Sequence, residues 1–138
     1  MFGFQKKEST KDANPTMQHH SFLLPSITSS SPGASPLAPT EYEERFFIAF
    51  EQAAVASGMS LNLFSLTRMG DRTIRIHYAG LQIGGIRYRK NFGYVQILLT
   101  DLDVKHMRDA PIESAIAAIP YLLHYAKQTK KEYDDMLK

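Results

Sequence analysis

The chain has 138 residues, a mass of 15.6 kDa and a net charge of +2, from 16 Lys and Arg against 14 Asp and Glu. This length suits a single domain, and a hydrophobic content of 43% is enough for a packed core. The absence of cysteine excludes disulfides, a thiol nucleophile and Cys-ligated metal centres. No apolar run approaches the roughly 18 residues that span a bilayer. No secretory signal pattern opens the chain, so we expect a cytoplasmic protein without membrane contact.

The first 39 residues differ in composition from the rest of the chain. They contain five of the seven prolines and many Ser and Thr residues. Such a segment buries too little apolar surface to offset the entropy lost on ordering. We therefore expect a disordered arm over residues 1–39 and a single domain over residues 40–138. Two apolar islands, at residues 1–4 and 22–27, are either incidental or linear motifs that dock on a partner or on the protein's own domain.

A helix is predicted over residues 40–57. Thr40 and Glu43 have the spacing of a capping box, in which each side chain accepts a hydrogen bond from the other residue's backbone. Pro39 lies just before this box, and acidic residues fill the first turn, where the helix dipole favours negative charge. Apolar residues follow with the helical period of 3.6, and Gly58 is typical of a helix C-terminus.

Between residues 60 and 100 the hydrophobic period changes from 3.6 to 2, which indicates strands. Short turns separate four of them: Leu61–Arg68, Thr73–Tyr78, Leu81–Arg89 and Tyr94–Leu99. The alternation reverses at Gly84-Gly85, and a β-bulge is the simplest explanation. The strand Tyr94–Leu99 is the most apolar, so we expect it to be central. The short turns predict a four-stranded antiparallel meander.

The last third of the chain returns to a helical pattern. Asp109 followed by Pro111 is typical of a helix start, with aspartate as the cap and proline in the first turn. The apolar stripe keeps its phase through Pro120, which predicts one long helix with a kink there. The predicted fold is α+β: a helix, a four-stranded antiparallel meander and a kinked C-terminal helix, with both helices on one face of the sheet.

One motif points to enzymatic chemistry. Asp101 and Asp103 follow an apolar strand, and carboxylates at a strand end can hold Mg²⁺ near a phosphate. The motif resembles the first strand of haloacid-dehalogenase-type phosphatases, although Val104-Lys105 replaces their glycine-threonine and only 35 residues follow Asp103. The histidines lack metal-binding spacing, and neither a nucleophile elbow nor a phosphate loop is present. Our main expectation is therefore a protein without a cofactor or metal. The second alternative for its function is a small metal-dependent phosphate-handling enzyme at Asp101/Asp103.

Charge is distributed unevenly along the chain. Residues 60–100 contain six cations and one acid, whereas the helix at 40–57 contains four glutamates and one arginine. Strand alternation separates polar from apolar residues on opposite faces of the sheet. The residues expected on the open face are Arg75, His77, Arg87, Arg89, Tyr94 and Gln96. This face is either a solvated surface coated by long arginine stems or a binding surface for an anionic partner.

The favoured function is a non-catalytic binding or adaptor module that contacts a protein partner or polyanion through this face, the arm or both. Arginine favours bidentate contacts with carboxylate or phosphate. Nucleic-acid binding through the same face is the first alternative, because the helix–strands–helix order is similar to that of double-stranded-RNA-binding domains. Those domains carry a basic run where this chain has residues 109–113, and Tyr94 is the only good candidate for base stacking. A basic sheet beside an acidic helix could also pair two copies of the chain, so a homo-oligomer is a further alternative.

Overall fold

The computed structural model describes residues 20–100 and 102–138 and shows an α+β fold with a six-stranded mixed sheet. In chain order the elements are β1 (Thr28–Ser29), α1 (Glu41–Ala56), β2 (Phe64–Arg68), β3 (Ile74–Tyr78), β4 (Leu81–Arg87), β5 (Phe92–Thr100), β6 (Asp103–Pro111), α2 (Ile112–Ala117) and α3 (Ile119–Met136). The strands lie side by side in this order; β1 is parallel to β2, and all other neighbours are antiparallel. No helix in these ranges is long and apolar enough to cross a membrane.

The sheet has two more strands than the predicted four-stranded antiparallel meander. Strand β1 comes from the predicted arm, and its two residues pair in parallel with Thr67 and Arg68. Strand β6 pairs antiparallel with β5 along most of its length. Because β6 is an exposed edge strand rich in charged residues, it lacks the apolar alternation that identified the inner strands. Strand β5, predicted to be central, is therefore the fifth of six.

The predicted helix cap at Asp109 is wrong. Asp109 belongs to β6 and adopts a positive φ of 51°, at a point where two β6 residues lie opposite one residue of β5. Helix α2 begins three residues later, after Pro111, without a side-chain cap. Its first N–H, that of Ile112, donates instead to the carbonyl oxygen of Asn91. A tertiary hydrogen bond thus replaces the local cap that the sequence indicated.

Helix α1 and the bend in the C-terminal helix agree with the predictions. Both hydrogen bonds of the Thr40–Glu43 capping box are present, and Gly58 follows the helix with a φ of 77°. The C-terminal helix is divided into α2 and α3 at Ala118, and Pro120 lies in the first turn of α3. Proline is tolerated there because its missing N–H would have no partner within the helix.

The predicted bulge in β4 lies one residue before the glycine pair. Gly84 is opposite Ile76, but Gln82 is opposite His77, so Ile83 is the extra residue. Gly84 itself is required by packing, because a Cβ atom there would lie 2.5 Å from both the Gln96 carbonyl oxygen and the Leu122 side chain. The missing side chain allows α3 to approach the sheet closely.

The helices and the sheet enclose one hydrophobic core. Phe46, Phe47 and Phe50 of α1 are fully buried, and the ring of Phe50 contacts that of Phe64 in β2 at 5.1 Å between centroids. Leu122 of α3 lies over Gly84 of β4. The strand register places Phe64 and Gly84 on the same face of the sheet, so the helical layer covers that face and leaves the other one open.

A buried ion pair connects α1 to the sheet. The Glu43 carboxylate is 0% exposed and the Arg68 side chain 3% exposed, and two hydrogen bonds of 3.0 Å join them. Backbone groups from other segments form hydrogen bonds with the remaining donors and acceptors of the two side chains. They are the carbonyl oxygens of Leu37, Ala38 and Arg72, which accept from Arg68, and the N–H groups of Thr40 and Tyr88, which donate to Glu43.

Part of the predicted arm also packs on α1. The buried Glu51 carboxylate accepts hydrogen bonds from the Phe22 and Leu23 N–H groups at 2.8 and 3.0 Å. Leu23 and Leu24 are buried in the core. Residues 21–29 thus belong to the folded domain, unlike the arm predicted over residues 1–39, and the island at 22–27 docks on the protein's own domain. The island at residues 1–4 lies outside the described residues.

Replacing Glu43 with alanine should lower the free energy of unfolding by about 3–5 kcal/mol, because it leaves the buried Arg68 charge without a counter-ion. Urea denaturation measures this loss. The exposed Gln52 on the same helix provides the control, and Gln52→Ala should change stability by less than about 0.5 kcal/mol. Equal stability of the two variants would contradict the structural role of the pair.

Leu24→Ala should cost about 2–5 kcal/mol, as expected for removing a buried leucine side chain. Phe22→Ala is the matched control, because the Phe22 side chain is 56% exposed while its backbone N–H still reaches Glu51. Thermal or urea unfolding of both variants separates the two cases. A small effect of Leu24→Ala would show that residues 21–29 do not contribute to the core.

Candidate functional site

The open face of the sheet contains five of the six predicted site residues. Arg75 and His77 come from β3, Arg87 from β4, and Tyr94 and Gln96 from β5. The strand register aligns these positions across the sheet, with Gly85 between Arg75 and Gln96. Strand β6 adds His106, which lies opposite Gln96, and Arg108, which contacts the ring of Tyr94.

Tyr94 organises one end of this face. The guanidinium carbons of Arg87 and Arg108 lie 5.5 and 5.6 Å from the centre of its ring, within the range of cation–π contacts. The ring also stacks on His106 with 5.8 Å between centroids, and the Tyr94 hydroxyl hydrogen-bonds to Nδ1 of His106. Tyr94 therefore positions two arginines, and its ring is already in contact with three neighbours.

Arg89 does not lie on the open face, contrary to the prediction. Strand β4 ends at Arg87, so strand alternation does not extend to Arg89. The Arg89 guanidinium donates to the Ala38 carbonyl oxygen at 3.2 Å and lies 3.8 Å from the Glu43 carboxylate. Arg89 thus points towards the start of α1.

Arg89 nevertheless contributes to a cleft at the end of the open face. This basic cleft has a volume of about 340 Å³ and is lined by Arg87, Arg89, Lys90, Phe92, Gly93, Tyr94, Arg108 and Asp109. Four of these residues are cationic and one is acidic. Among the residues that the structure describes, Lys90 and Arg108 form no ion pair, whereas Arg87 lies 3.7 Å from the Asp71 carboxylate. The excess of cations suits a carboxylate or phosphate ligand.

The other end of the open face is polar and less basic. Gln82 donates a hydrogen bond of 3.1 Å to Gln96 there. Burial lowers the pKa of His77 below its usual 6.5, and the neighbouring Arg75 charge lowers this pKa further. The neutral form of His77 therefore predominates at pH 7, and the positive charge of this end comes mainly from Arg75.

Sequence reasoning missed Lys90, His106 and Arg108 as site residues. Lys90 is one of the six cations of residues 60–100, but it lies between two predicted strands, where strand alternation assigns no face. His106 and Arg108 lie on a strand that was not predicted, although Val104, His106 and Arg108 have the spacing of one strand face.

The aspartate motif is only partly described. Asp101 lies outside the described residues, and Asp103 is exposed at the start of β6. Within residues 20–100 and 102–138, no three His, Asp or Glu side chains form a group that could hold a metal ion.

Comparisons with known proteins add no functional information. The chain matches no family model, no curated protein and no solved structure at a significant level. The functional inference therefore rests on the geometry of the open face and the basic cleft.

The His77 imidazole should titrate below pH 6.5 in the folded protein and close to 6.5 in urea. The lowered pKa means that the unfolded chain binds this proton more readily, so His77's contribution to stability is present above pH 6.5 and is lost as the pH falls below it. NMR titration of the ring protons measures both values. Arg75→Gln should raise the folded pKa only in part, because burial is the larger cause. A folded pKa of 6.5 or higher would contradict this assignment.

Proposed function

We propose that this protein is a non-catalytic binding module that holds an acidic segment of a protein partner in the basic cleft and along the adjoining open face. The observation that carries this proposal is the convergence of Arg87, Arg89, Lys90 and Arg108 on one cleft. Like charges placed together repel one another, and an anionic ligand relieves this repulsion.

Three of the four cations are held in place without a ligand. Arg87 and Arg108 contact the Tyr94 ring, and Arg89 donates to the Ala38 carbonyl oxygen. A guanidinium that is already positioned loses less conformational entropy when it binds a carboxylate. This arrangement supports a role in recognition beyond that of a solvated surface.

A protein ligand fits this surface better than a nucleic acid. Single-stranded nucleic acids need exposed aromatic rings on which their bases stack. The Tyr94 ring is in contact with Arg87, Arg108 and His106, so its faces are already used. Phe92, which is half-exposed, is the other aromatic residue that lines the cleft. One free ring can serve as an apolar contact for a peptide, whereas the stacking of successive bases needs more than one.

The variant with Arg75, Arg87 and Arg108 replaced by glutamate should fold, because surface substitutions usually change stability by less than about 0.5 kcal/mol each. It should bind a fluorescent deca-glutamate peptide at least about tenfold more weakly than the wild type does, as measured by fluorescence anisotropy. The matched control has the exposed Lys127, Lys131 and Lys138 replaced by glutamate, which changes the net charge by the same amount. This control should bind the peptide as the wild type does.

Two results would contradict the proposal. Equal peptide binding by the wild type and the open-face variant would show that this face is only a solvated surface. Tighter binding of a ten-nucleotide RNA than of the peptide, with a steep dependence on salt and loss in the same variant, would support the nucleic-acid alternative instead.

A further inference from the structure

Strand β6 presents a free edge. In the described part of the chain it pairs only with β5, so the N–H and C=O groups on its outer side have no strand partner. Natural proteins protect such edges with charges and bulges. Here Asp103 lies at one end and the irregular pairing around Asp109 at the other. These features leave residues 104–107 as a short stretch of regularly paired strand whose outer edge is open to pairing.

An apolar groove lies beside this edge on the helical side of the sheet. It has a volume of about 270 Å³ and is lined by Ile97, Leu99, Lys105, Met107, Ser114, Ala117, Ala118 and Tyr121. The residues of α2 and of its junction with α3 that line the groove are small: Ser114, Ala117 and Ala118. The Tyr121 side chain, 60% exposed, lies at its rim. Because α3 packs mainly on β4 and β5, the helical face of β6 is only partly covered: Lys105 is exposed and Met107 is half-buried.

The two faces of β6 differ in chemistry. On the open face, His106 and Arg108 belong to the basic surface around Tyr94. On the helical face, Met107 belongs to the apolar groove, with Lys105 beside it. Side chains of an added strand would alternate between these two environments with a period of two residues.

We infer that β6 binds an extended peptide segment with alternating apolar and acidic residues, which adds to the sheet as a seventh strand. The apolar side chains enter the groove beside Met107, and the acidic side chains face His106 and Arg108. Backbone hydrogen bonds to the β6 edge supply affinity, and the two side-chain environments supply sequence specificity. This inference rests on the proposed function, because it takes the partner to be acidic, and it names the conformation and pattern of that partner.

The test uses two capped hexapeptides of equal composition, one alternating Val and Glu and one with three Val followed by three Glu. The alternating peptide should bind at least about tenfold more tightly, because only it presents one apolar and one acidic face as a strand. Binding should shift the NMR signals of the residue 104–107 amides and of Ala117. N-methylation of the peptide backbone should abolish this preference, since it removes the donors that pair with the edge.

Two variants distinguish binding in the apolar groove from binding in the basic cleft. Ala117→Phe fills the groove from an exposed helical position and should weaken only the alternating peptide, by about tenfold, while Ala56→Phe at the exposed end of α1 should change neither peptide. Replacing Arg87 and Arg108 with glutamate should weaken both peptides, because both are acidic.

The remaining outcomes decide between strand addition and the proposed acidic partner. Equal binding of the two peptides, with loss in the arginine variant, overturns strand addition and leaves the proposed function standing. Binding at β6 that survives the arginine variant supports strand addition and overturns the proposed acidic partner. Failure of both peptides to bind overturns both. Concentration-dependent dimers in sedimentation that Ala117→Phe disrupts would show that a second copy occupies the edge, and would overturn the peptide assignment.

Discussion

The Glu43–Arg68 ion pair joins more of the chain than any other polar contact in residues 20–100 and 102–138. Two charges taken out of water cost more than their mutual attraction returns unless their other donors and acceptors are also filled. Here the backbone of the segment before α1, of the turn after β2 and of the end of β4 fills them. Because each of these bonds needs its own geometry, the pair stabilises one arrangement of α1 against the sheet.

The same pair also fixes one wall of the basic cleft. Glu43 accepts from the Tyr88 N–H and lies near the Arg89 guanidinium, so the end of β4 has a defined position. The Tyr88 side chain is buried and donates to the Ala110 carbonyl oxygen, and burial together with the Glu113 charge raises its pKa to about 12. The phenol thus stays neutral and connects the segment just after β4 to the end of β6. Arg87, Arg89 and Arg108 are thus held in place by contacts within the fold, which supports the proposed role in recognition.

Strand β6 connects the two proposed binding surfaces. Its open face continues the basic surface around Tyr94, and its helical face borders the apolar groove. A single extended ligand on the β6 edge would therefore contact both surfaces at once. This geometry depends on the edge position of β6, since an inner strand would have no free backbone groups to offer.

The sequence by itself determined the features that local chemistry encodes: the capped helix α1, the bulge beside Gly84, the bend at Pro120 and the open-face placement of Arg75 and Arg87. Tertiary structure alone decided the rest. The two residues of β1 are too few to show a period, and β6 is charged because its edge faces solvent, so neither carried a strand pattern. Arg89 does not lie on the open face because β4 ends two residues earlier, and Arg108 lies on it because β6 pairs with β5. Such pairings depend on residues distant in the chain, and no local window of sequence contains them.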